Sequence, residues 1–83
     1  MAKFLFVVIY GKKGKKIKPF LKVYNNFKDF ENDSVYKAPL TRVIGLFPVK
    51  ENEVESAVEL CKEYIEGRIT FISLEKSIGK EKN

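Results

Sequence analysis

The sequence predicts a small α+β domain: a mostly antiparallel sheet of about four strands, in the order β-β-β-α-β, with one long helix on one face. Three observations carry that expectation. Residues 4–10 run Phe-Leu-Phe-Val-Val-Ile-Tyr, all apolar or aromatic, and Gly11 closes the run. Residues 54–65 return apolar side chains at helical spacing, on Val54, Ala57, Val58, Cys61 and Ile65. Two further apolar runs, 41–49 and 68–74, stand on either side of that helix.

Taken in order, residues 4–10 are short for a helix and rich in β-branched and aromatic side chains, which favours a strand. Alternate side chains of a strand face opposite ways, so Phe4, Phe6, Val8 and Tyr10 oppose Leu5, Val7 and Ile9. Both sets are apolar, so both faces need cover. Gly11-Lys12-Lys13-Gly14-Lys15-Lys16 follows as a turn. Residues 16–24 can be read two ways. As a strand they complete a β-hairpin, with Ile17, Pro19, Leu21 and Val23 on one face and Pro19 holding the strand at a sheet edge. As a helix over 19–31, Phe20, Leu21, Tyr24, Phe27 and Phe30 make an apolar stripe behind Pro19. That reading gives a ferredoxin-like βαββαβ plan, with 35–40 as the second strand. Asn25-Asn26 in mid-helix and the lack of a cap before Pro19 favour the hairpin.

Asn25-Asn26 then turns the chain or caps a helical turn over 27–31. Residues 35–39 read as a short edge segment or an extended loop. The run 41–49 is a strand apolar on both faces, with a bulge at Gly45 and its end at Pro48. Asn52 and Glu55 have capping-box spacing, which starts a helix there that reaches Glu66. Gly67 ends it in a left-handed cap, and 68–74 is the last strand. Residues 1–79 make a single domain, and 80–83 fray.

One helix covers one face of such a sheet, which leaves Phe4, Phe6, Val8 and Tyr10 to be covered by something else. Leaving large apolar side chains wet forgoes about 1.5–3 kcal/mol each. Either they form an interface, in a homodimer or with a protein partner, or the stretch 20–36 folds back over them.

Charge is unevenly divided. Residues 1–46 hold ten Lys or Arg against three acids, net +7, and residues 47–83 hold six against eight, net −2. A basic front half suits a polyanion. Fourteen of the sixteen cations are lysine, a point charge better matched to backbone attraction than to bidentate base reading. The lone Cys61 forms no internal disulfide, which fits a reducing compartment. Residues 4–10 are too short to span a bilayer and lack the flanks of a signal peptide. The expectation is a cytoplasmic protein with no membrane segment.

The candidate phosphate-binding residues are Gly11, Lys12, Lys13, Gly14, Lys15, Lys16 and Lys18, with Tyr24 as a stacking ring. Gly11-Lys12-Lys13-Gly14 resembles the glycine–two–glycine loop with which KH domains clamp a nucleic-acid backbone. That loop joins two helices in KH domains, whereas here it follows a strand-like run. The alternative is a solvated hairpin tip whose lysines deter edge aggregation. Tyr24 and Tyr36 are the rings among Lys18, Lys22, Lys28 and Lys37 whose hydroxyls tolerate water. The absence of histidine removes the commonest general base, and one cysteine builds no structural zinc site. No enzyme, metal or cofactor is therefore expected. The leading reading is a non-enzymatic nucleic-acid-binding protein acting as a homodimer. The alternative is a protein–protein module, such as a phage-type or mobile-element regulator or inhibitor, acting through the apolar sheet face.

Overall fold

In the computed structural model, which describes residues 3–13 and 18–78, the opening run becomes the middle strand of the sheet. Strand β1 (Phe4–Lys12) lies between β2 (Phe20–Tyr24) and β3 (Thr41–Lys50), both antiparallel to it. The class is α+β, but among the described residues the sheet has three strands rather than four. The hairpin reading of the second segment holds: Phe6 lies opposite Tyr24 and Tyr10 opposite Phe20. The helix over 19–31, and the ferredoxin-like plan with it, does not form. Strand β2 starts directly after Pro19, which has no N–H for the ladder. Asn26 caps helix α1 (Phe27–Asn32), its side-chain oxygen accepting from the Asp29 N–H at 2.8 Å. Residues expected to be extended at 35–37 instead belong to a one-turn helix, α2 (Ser34–Lys37), because Asp33 Oδ1 accepts from the Val35 N–H.

Strand β3 runs the length of β1, and its register slips between Ile9 and Tyr10. Ile9 faces Gly45 and Tyr10 faces Val43, so Ile44 is the extra residue of a bulge beside Gly45, as expected. A Cβ on Gly45 would sit 2.8 Å from the Phe47 ring, so glycine lets that ring lie across the strand. Pro48 lies inside β3 and does not end it; β3 is an edge strand, where a missing N–H is tolerated.

Helix α3 (Val54–Ile65) starts later than the capping-box spacing implies. Glu51–Glu53 form a 3₁₀ turn, docked where the Glu51 N–H donates to the Lys3 carbonyl at 2.9 Å. Asn52 is absorbed into that turn, and Glu53 at the N-cap makes no side-chain capping bond. The other end is as expected. Gly67 has φ +84°, its N–H donates to the Tyr64 carbonyl, and the Arg68 N–H donates to that of Glu63.

The expected last strand is instead helix α4 (Phe71–Ser77). Thr70 caps it by accepting from the Ser73 N–H, and Phe71, Leu74 and Ile78 recur at helical spacing toward the core. The β-branched run at 69–72 suggests a strand only when the apolar spacing beyond it is ignored.

These elements make a helix–sheet–helix sandwich with two cores. Val7, Ile9 and Val49 pack under Ala57, Cys61, Leu74 and Ile78 of the α3–α4 layer. Val8, Tyr10 and Tyr24 pack under Phe30, with Val35 beside them. The fold-back alternative is therefore the one adopted. Val8 and Tyr10 are 0% exposed within a single chain, and Phe6 packs edge-on against Phe27. The expected interface of Phe4, Phe6, Val8 and Tyr10 is thus largely internal, and only Phe4 stays exposed. The case for a dimer through that face loses its surface.

Candidate functional site

The end of the sheet nearest the β1–β2 connection collects cations from three elements. Lys12 closes β1 opposite Thr41, and Arg42 faces Gly11 across the ladder. The Lys13 N–H donates to the Leu40 carbonyl at 2.8 Å, which fixes the start of the β1–β2 connection against the start of β3. Lys37 ends α2, and the following Ala38 carbonyl accepts from the Thr41 N–H at 3.1 Å. Backbone hydrogen bonds therefore hold Lys12, Lys13, Lys37 and Arg42 at one end of the sheet, all four exposed, with Lys12 on the face of Tyr10 and Arg42, opposite Gly11, on the other. None of the four has an ion-pair partner among the described residues.

The other candidates fall differently. Gly14, Lys15 and Lys16 lie outside the described residues, as does the expected tail at 80–83. Gly11 is no phosphate-cradling loop glycine: it sits in the ladder, and a Cβ there would meet Ile44 at 2.8 Å. Lys18 is exposed, but its ammonium donates to Glu66 Oε1 at 2.9 Å, which ties it to the end of α3. Tyr24 is buried and cannot serve as a stacking ring. Arg42 was not among the residues the sequence singled out, and only the β1–β3 register brings it and Lys37 to the lysines. No local pattern carries that signal.

Tyr24 belongs to a hydrogen-bonded chain that closes the second core. Its hydroxyl donates to Asp33 Oδ2 at 2.7 Å, and Lys22 Nζ donates to the same oxygen at 2.6 Å. Since the one Tyr24 proton is spent on Asp33, Tyr10 must be the donor in the 2.7 Å contact between the two hydroxyls. The Lys22 ammonium, the Tyr24 hydroxyl and the Val35 N–H hold the Asp33 carboxyl down at about 2. Burial, and then its hydroxyl and carboxylate neighbours, push the Tyr24 phenol above its ordinary value. The chain is a structural clamp on α1 and α2.

Cys61 is fully buried, and burial pushes its thiol up to about 11, far from nucleophilic character at neutral pH. Among the described residues, no group of three or more His, Cys, Asp and Glu side chains could hold a metal ion, and no helix is long and apolar enough to cross a membrane. No family model matches the chain, and the searches of curated proteins and of solved structures likewise give no match.

Proposed function

We propose that this protein binds nucleic acid without catalysing a reaction, holding the phosphate backbone at the corner formed by Lys12, Lys13, Lys37 and Arg42. The observation that supports this reading is the gathering at one end of the sheet of four exposed cations, from β1, α2 and β3 and the β1–β2 connection, that are unpaired among the described residues. Unpaired cations keep their full attraction for a polyanion, and Lys15 and Lys16 add to it from the same connection in sequence. Predominance of lysine favours attraction to phosphates over reading of base edges. A protein-docking role through the apolar sheet face has less support, because both faces of the sheet are packed within the chain. One subunit suffices for the binding proposed.

Fluorescence anisotropy with labelled oligonucleotides across a salt series tests this. The logarithm of the binding constant should fall linearly with the logarithm of salt, by about 0.7 per phosphate contacted on single strands and 0.9 on duplex. Changing Lys12, Lys13, Lys37 or Arg42 to Glu should weaken binding, each loss flattening that slope by about one. Lys50→Glu, at the opposite end of β3, serves as the control and should change little. Absence of binding at low salt would overturn the reading.

A further inference from the structure

We infer that the cationic corner takes single-stranded nucleic acid, with Tyr36 as the ring on which a base stacks. This rests on the nucleic-acid reading above and narrows it. Tyr36 is 42% exposed, while one side of its ring is backed by Phe30 at 4.3 Å between centroids and 39° between planes. The ring is thus held on one side by Phe30 while the residue stays partly exposed. Its short helix is tied at both ends, by Asp33 Oδ1 accepting from the Val35 N–H and by the Ala38 N–H donating to the Val35 carbonyl. Tyr36 stands on the side of the sheet that carries Tyr10, because Phe30, which backs its ring, belongs to the same core as Tyr10. Lys12 lies on that same face, two residues beyond Tyr10, which is about 7 Å along a strand. Lys37 follows Tyr36 directly.

A backed, partly exposed ring on the face that carries Lys12, with Lys37 next to it in sequence, matches the combination that binds single strands, in which bases stack and lysines follow the backbone. The duplex alternative has less to stand on. The one helix longer than two turns among the described residues, α3, exposes Glu55 and Glu59 beside a single Lys62, a net negative face that a groove would repel. Helices α1 and α2 span six and four residues, too short to lie in a groove as readers.

The test is anisotropy with oligo(dT) of about 16 nucleotides, the corresponding dT·dA duplex and heparin. Tyr36→Leu keeps an apolar contact on Phe30 but removes the ring. It should weaken oligo(dT) binding about 5- to 100-fold and leave the duplex and heparin unchanged, whereas Tyr36→Phe should retain oligo(dT) binding. If Tyr36→Leu fails to fold, tyrosine fluorescence gives the second readout: oligo(dT) should quench the wild type, and Tyr36→Phe should lose the quenching. An unaffected Tyr36→Leu, equal weakening on all three probes, or no quenching of the wild type would overturn the inference while leaving phosphate binding intact. Failure of the wild type to bind any nucleic acid at low salt would remove the underlying reading and this inference with it.

Discussion

On one side of the sheet, the twelve-residue α3 and the seven-residue α4 close a core whose buried side chains are aliphatic apart from one thiol, with the rings of Phe47, Tyr64 and Phe71 at its margin. On the other side, α1 and α2 have only six and four residues, and their core mixes rings with a chain of hydroxyls and a carboxylate. Helices that short do not hold themselves together in water. A long amphipathic helix seats itself by apolar area, and a pair of helical turns needs directional bonds to fix where they sit. Asp33 supplies them: it caps α2 through Val35 and ties the α1–α2 junction to Lys22 and Tyr24 of β2.

The largest expected effects come from truncating each core in turn. Phe30→Ala should cost about 3–5 kcal/mol and Leu74→Ala about 2–5 kcal/mol in urea denaturation. Labelling of Cys61 under native conditions separates them. Leu74→Ala should speed it by loosening the core that holds the thiol, and Phe30→Ala should not. Equal acceleration would mean that the two layers open as one unit.

A smaller effect sharpens the polar side of the comparison. Tyr24→Phe should cost about 1–3 kcal/mol, since it leaves the buried Tyr10 hydroxyl without its acceptor. Tyr10→Phe removes only the outermost donor of the chain, and its cost in the same denaturation measurement should be lower. The last effect is silent at neutral pH. Asp33 has a folded-state value of about 2, lowered from 3.8. Its contribution is therefore complete above the ordinary carboxylate range and is lost as pH falls through about 2. Acid titration followed by circular dichroism should show this loss in the wild type, and Asp33→Asn should lack that part of the acid dependence.

The same contrast explains what could be read from the sequence. The uninterrupted apolar run of β1 announces a strand covered on both faces, and the long stripe of α3 announces one cover. The second cover is legible only as an alternative, the fold-back of 20–36 with a helical turn at 27–31, because α1 and α2 are too short to display a period. Helix α4 is concealed differently: its stripe of Phe71, Leu74 and Ile78 begins inside a β-branched run and ends beyond it. Asn52 misleads because a backbone bond from Glu51 to Lys3, distant in sequence, fixes the turn that absorbs it. At the site, Lys12 and Lys13 are legible as a local cluster. Lys37 and Arg42 join them only through strand register, and Gly11 passes for a loop residue until Ile44 is seen above it.

The central place of β1 also bears on how the chain is born. Its seven-residue greasy stretch is made well before Leu74 and Ile78, yet Val7 and Ile9 are shielded only after those two arrive. Such a stretch, free of charge and proline, is the kind that self-associates while exposed. The lysines that follow it would then act first as guards of the nascent strand, before any partner meets the finished protein.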